Sequence, residues 1–204
     1  MNALTGTTYK QALETLAEQD PDLAQIYWTL GAPPMWEREP GFPTLIHIIL
    51  EQQVSLASAK AAFDKLLAIA NPLTPDAFLA LDDLTLREAG FSRQKTKYGR
   101  FLAEAIQNGH LNLNSFPNLP DEEVRNQLTA IKGIGPWTAD VYLLMVLKRP
   151  DIWPVGDLAL QVAAQQIKGL DYRPKANELE QIGEAWRPWR AVAARLLWHF
   201  YLNR

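Results

Sequence analysis

Apolar residues recur at the spacing of an α-helix along nearly the whole chain, and nowhere do they alternate as in a strand bounded by hairpin turns. That property directs the chain to the all-α class. Residues 7–19 carry the pattern, and Pro21 opens a second short helix through Ile26 and Leu30. The stretch 31–43, GAPPMWEREPGFP, holds four prolines and two glycines and reads as a loop. From Thr44 one amphipathic helix is expected to continue to residue 70, with Leu45, Ile49, Leu56, Ala59, Phe63 and Leu67 on its apolar face. Thr74 and Pro75 begin the next helix as N-cap and first residue. Further helices are expected at about 83–89, 94–108, 120–131, 136–147, 157–168, 175–185 and 188–203.

A chain of 204 residues, 48% hydrophobic, suffices for one large domain or two small lobes with a core that needs no staples. The absence of cysteine removes a disulfide framework, a thiolate zinc site, an iron–sulfur cluster and a cysteine nucleophile. No stretch reaches the roughly 18 apolar residues of a membrane helix, and no secretory leader is visible, so a cytoplasmic protein is expected (nucleoid-associated, in a bacterium). The net charge of −3 gives by itself no hint of nucleic acid.

Residues 124–143, VRNQLTAIKGIGPWTADVYL, are more informative. One helix ends at Ile131-Lys132, a Gly-Ile-Gly turn follows, and Pro136 starts a second. Gly133 suits the positive φ that closes a helix, and Gly135 allows close backbone approach. Thr138 adds a hydroxyl in the first turn of the second helix. Unpaired N–H groups at such a start bind anions, phosphate above all. An ordinary helical hairpin would use the same two glycines merely to turn the chain.

The whole pattern L-x-x-I-x-G-I-G-x-W-T-A nevertheless resembles the helix–hairpin–helix of DNA repair glycosylases. Four further segments resemble that superfamily in the right order: LEQQVSLASA at 50–59, GFSRQKTKY at 90–98, DIWPVGDLALQ at 151–161 and WRPWRAVAARLLW at 186–198. The subgroup they resemble is the 3-methyladenine DNA glycosylase II family, in a compact version without the N-terminal β-rich domain of some members. The resemblance implies two helical lobes, one of residues 1–43 with 146–204, the other of 44–145 containing the hairpin 124–145. It also implies Asp157 in a cleft between them.

The resemblance makes Asp157 the essential aspartate, although the same residue serves as the N-cap of the following helix. Cleaving an N-glycosidic bond builds positive charge on the sugar, and a nearby carboxylate stabilises that charge and orients or deprotonates water. An alkylated purine is itself cationic, so its pocket needs electron-rich aromatic faces. By family position these are Trp137 and Trp198, with Tyr142 as a further pocket residue although the family's aromatic aligns with Val141. Gln53 stands where the family inserts a wedge into the base stack, with Gln52 beside it; alternatively both glutamines belong to the polar face of the long helix. Trp28, Trp36, Trp153, Trp186 and Trp189 read as core residues.

For DNA contact the candidates are Lys132, Gly133, Gly135, Thr138, Gln53, Ser92 and Arg93. Basic residues cluster as Arg93, Lys95, Lys97 and Arg100, and again as Arg187 and Arg190. Lyase-competent relatives carry a lysine where this chain has Trp137, so no Schiff base forms at that position. No catalytic metal is expected, since His47, His110 and His199 are isolated in sequence. Hairpin carbonyls in family members hold a structural monovalent cation. The expectation is a monomeric, monofunctional, cofactor-independent glycosylase acting on 3-methyladenine and 7-methylguanine in double-stranded DNA. Two other readings stay open, a non-catalytic DNA-binding hairpin module and a glycosylase for oxidised or deaminated bases.

Overall fold

The computed structural model describes residues 3–204, and among these every regular element is helical. They divide into two compact units, one running to Glu37 and resuming at Leu143–Arg204, the other Arg38–Tyr142. Among the described residues no helix is long and apolar enough to cross a membrane.

The second unit contains α3 (Phe42–Glu51), α4 (Leu56–Ile69), the short α5 (Pro75–Leu79) and α6 (Asp83–Glu88), and α7 (Arg93–Gln107). A 3-10 turn at Leu113–Asn118 then leads to α8 (Asp121–Thr129) and α9 (Pro136–Met145), within which the division falls. Its core is built around α3, where Leu45, Ile46, Ile48 and Ile49 are fully buried. Each such side chain contributes about 1.5–3 kcal/mol by leaving water. The expected single helix over 44–70 is instead two: α3 stops at Glu51, and Ser55 caps α4 by accepting from Ser58 N at 3.2 Å. Beyond the break the apolar face is re-registered. Ala59, Ala62 and Leu66 are buried while Leu56 lies exposed.

The first unit packs α1 (Gly6–Gln19) and α2 (Pro21–Leu30) with α10 (Leu158–Ile167), α11 (Ala176–Glu184) and α12 (Arg190–Asn203). Asp20 caps α2 through Asp22 N and Leu23 N, and ties the N-terminal helices to the C-terminal ones. Its Oδ2 accepts from Lys168 Nζ at 2.7 Å and from the Trp186 indole at 2.8 Å. Burial pushes the Asp20 carboxyl up, but Lys168 and the Trp186 indole outweigh it and hold the group below the ordinary carboxylate range. Lys168 in turn is held above the ordinary lysine value, its burial outweighed by Asp20 and Asp22.

A depressed carboxyl stabilises the fold above its unfolded pKa and loses that contribution as pH falls through the folded value. Asp20→Asn should therefore lower stability at pH 7 by about 2 kcal/mol, or roughly 4–8 °C in melting temperature. The difference from wild type should shrink as pH drops below about 3.9, the free aspartate value. Thermal melts at pH 7 and pH 3 check this; an equal gap at both would contradict the account.

Candidate functional site

The hairpin lies in the second unit. α8 ends at Thr129, Ile134 N donates to Ile131 O at 3.0 Å to close the turn, and α9 begins at Pro136. Gly133 has φ +98, and a Cβ there would fall inside the Tyr98 ring. Gly135 differs: its φ lies outside the left-handed region, and a Cβ on it would meet nothing. Arg125 of α8 donates from Nε and Nη2 to Asp140 Oδ1 of α9 at 2.9 and 2.7 Å, locking the two helices together. Burial disfavours the Arg125 charge, but Asp140 and Glu122 outweigh that and keep it raised. This pair was not legible in sequence, because its fifteen-residue separation becomes a contact only once the turn geometry is known.

The turn between α3 and α4 leans on the hairpin. Gln52 Nε2 donates to Gly133 O and to Thr138 Oγ1, both at 3.0 Å. Lys95 Nζ caps the end of α3 at Leu50 O, 2.7 Å away, and Arg38 grips the buried Glu51 carboxylate with two bonds of 3.0 and 2.8 Å. Between these anchors Gln53 is exposed and adopts φ +56, a left-handed conformation costing a non-glycine residue about 1–2 kcal/mol. Gln53 is thus on a braced turn and not on a helix face.

Three expected roles are revised here. Thr138 is only 1% exposed and its Oγ1 accepts from Gln52 Nε2, so it braces the turn from beneath, and its buried hydroxyl is not open to an anion arriving from solvent. Tyr142 is fully buried, with its ring edge-on to Phe116 at 5.9 Å; it belongs to the core, not to a pocket wall. Much of the basic cluster is also committed internally. Arg100 reaches Leu81 O and Asp83, and Lys95 holds Leu50 O, where burial lowers its pKa. In the first unit Arg190 is buried against Asp151 and Glu180, and Arg187 pairs with Asp151 and Glu184.

Exposed basic side chains remain at Arg93, Lys97 and Lys132, the last with its ammonium 5.5 Å from the Phe101 ring centre. Ser92 caps α7 by accepting from Lys95 N at 3.2 Å. Trp137, in the first turn of α9, is partly exposed. The carbonyls of Ile131 and Gly133 accept from Ile134 N and Gln52 Nε2, which leaves each a second lone pair able to face a monovalent cation.

Asp157 lies in the first unit, after a tight turn in which its N–H donates to Pro154 O at 2.9 Å. Its Oδ1 accepts from Leu160 N at 3.0 Å, capping α10, and from the Trp198 indole at 3.1 Å. The N-cap reading of Asp157 holds, and the same oxygen also takes the Trp198 indole. Trp198, 9% exposed, is edge-on to Trp36 with ring centres 6.3 Å apart at 77°. Trp36 has φ +48 and is only half-buried, so it is not the core residue expected. Its one sequence signal was its position inside a proline-rich loop. The buried guanidinium of Arg195 serves the same loop by donating to Met35 O at 2.9 Å, and burial brings its pKa down to about 10, leaving it charged near neutrality.

Residues 46–188 match the model of the HhH-GPD superfamily of base excision DNA repair proteins. The chain is 29% identical to the alkylbase DNA glycosidase-like protein mag2 of Schizosaccharomyces pombe, with 93% of this chain and 92% of that one aligned. It spans only 43% of a Bacillus subtilis relative to which it is 33% identical over 124 residues, 61% of this chain. Among solved structures, the Schizosaccharomyces pombe 3-methyladenine DNA glycosylase Mag1 in complex with abasic DNA superposes with a TM-score of 0.87. That match is at 28% identity and covers 92% of this chain and 95% of the other. An all-helical fold with the Gly-Ile-Gly hairpin, and a family match covering most of its length, place one conclusion beyond argument: this chain belongs to the HhH-GPD superfamily of base excision DNA repair proteins.

Proposed function

We propose that the protein is a monofunctional DNA glycosylase that hydrolyses the N-glycosidic bond of alkylated purines, 3-methyladenine and 7-methylguanine, in duplex DNA. The observation that carries this reading is the Asp157 carboxylate held by a helix N-terminus and by the Trp198 indole, with Trp36 edge-on to that indole. Phosphate binding alone requires none of these, so a non-catalytic hairpin module leaves them unexplained. The names of the relatives above, an alkylbase glycosidase-like protein and a 3-methyladenine glycosylase, support the choice of substrate class.

In this mechanism the hairpin holds DNA through its Gly133–Gly135 backbone and Lys132, with Ser92 and Arg93 adding backbone contacts. Gln53 fills the stack vacated when the damaged nucleotide is extruded. The cationic base is received by the electron-rich indole face of Trp198, beside Asp157. Its positive charge already makes it a good leaving group, so no strong general acid is required. Asp157 stabilises the cationic sugar as the bond breaks and aligns the attacking water. With tryptophan at position 137 there is no amine to trap the sugar as a Schiff base, and the product is an intact abasic site.

A panel of duplexes carrying single lesions tests the assignment. Incubation followed by alkali should cut strands holding 3-methyladenine or 7-methylguanine, and omission of alkali should leave them whole. Cutting confined to oxidised or deaminated purines would move the substrate class. Cutting without alkali would overturn monofunctionality, and no cutting of any duplex would favour the binding-module reading.

A further inference from the structure

The Trp36 loop is tied down at alternate residues. The Tyr9 hydroxyl donates to Pro33 O at 2.9 Å, Arg195 Nε donates to Met35 O at 2.9 Å, and Lys148 pairs with Glu37 at 3.2 Å. Between the last two anchors lies Trp36, a bulky residue in a left-handed conformation it would leave if released. Arg195 is the most deeply buried member of this set, 0% exposed. Its guanidinium also donates to Ala191 O at 2.9 Å and Leu144 O at 2.8 Å, and the Tyr9 ring centre lies 6.0 Å away. Two of its three carbonyls thus belong to helices, α12 and the last turn of α9, and the third belongs to the loop. A planar, rigid fork fixed at two points on helices sets the third point closely; an ammonium on a flexible stem would not.

Core filling does not explain the charge. An apolar side chain would occupy this position without the desolvation a buried guanidinium incurs. Nor does core filling explain Trp36, which is half-buried and strained while its ring lies edge-on to Trp198 and to His199, 6.5 Å away. Trp198 carries the indole that donates to Asp157.

We propose that Arg195 is a positioning residue for the Asp157 centre: through the Met35 carbonyl it holds Trp36 against Trp198, presetting a two-indole wall for a cationic base beside the carboxylate. The assignment rests on the glycosylase reading for its consequence but not for its geometry, and the test separates the two. Arg195→Lys keeps the charge and loses the fork, and Trp36→Ala removes the ring it serves.

In protein labelled with 5-fluorotryptophan, Arg195→Lys should shift or broaden the fluorine resonances of Trp36 and Trp198, each assigned by its Trp→Phe variant, and leave those of Trp28 and Trp137 in place. With methylated duplex under single-turnover conditions, Arg195→Lys should slow base release about tenfold while keeping the affinity for abasic DNA. Trp36→Ala should slow it comparably, and the double variant should be no slower than the slower single one. Unmoved resonances, or losses that multiply in the double variant, would overturn the proposal. If wild-type protein releases no base from any lesion duplex, the glycosylase reading falls while the fluorine spectra still decide whether Arg195 positions Trp36.

Discussion

Asp157→Asn should leave a folded protein that still binds abasic DNA but releases alkylated base about 10²–10³-fold more slowly. The substitution divides the helix cap that this side chain makes from the charge that the proposed chemistry uses. Asparagine caps helices about as well as aspartate. Its carbonyl oxygen can accept from both Leu160 N and the Trp198 indole, as Oδ1 does now. What it lacks is the negative charge that opposes the growing cation on the sugar. Melting temperature should therefore move by only a few degrees, whereas the single-turnover rate on a 3-methyladenine duplex collapses. A fully active asparagine variant would remove Asp157 from the chemistry and leave it a cap. The size of the loss also reports on the leaving group: a neutral purine, which departs less readily, should suffer more than a cationic one.

Much of this could be read from the sequence because it was written in local patterns. Helix starts at Pro21 and at Thr74-Pro75 follow from local helix-start chemistry alone, and both hold in the structure. The Gly-Ile-Gly turn and the aspartate that follows it are short-range motifs of the same kind. The failures share a different cause. The break at Gln52–Ser55 was hidden because apolar periodicity runs through it without glycine or proline, and its stability comes from Lys95, Arg38 and the hairpin, all distant in sequence. Trp36 was unreadable for the same reason, since Arg195 holds its loop from 160 residues away. Basic residues counted toward a DNA-facing rim proved to be spent on carbonyls and carboxylates, as Arg100 and Arg190 show. A charge count gives the supply of cations and says nothing of how many the fold consumes.

The two hairpin glycines should separate stability from DNA binding. At Gly133 the fold itself demands glycine: φ is +98, the Tyr98 ring occupies the space of a Cβ, and Tyr98 is held in turn by Gln94. Alanine there must strain the backbone and displace a packed ring, so Gly133→Ala should cost about 3 kcal/mol of stability. It should also weaken abasic-duplex binding at least tenfold, because the Gln52 brace ends on the Gly133 carbonyl and moves with it. At Gly135 nothing in the protein opposes a side chain. Its backbone is outside the left-handed region, and alanine should even stabilise slightly, by about 0.4–1 kcal/mol, through a less entropic unfolded chain. A glycine that the fold does not require is explained by something that approaches from outside. Gly135→Ala should accordingly melt at or above the wild-type temperature while binding abasic duplex about tenfold more weakly, as a methyl group is pressed against phosphate. Fluorescence anisotropy titrations alongside thermal melts of both variants provide the check. Undiminished binding by Gly135→Ala would mean that DNA does not approach the hairpin backbone at that residue.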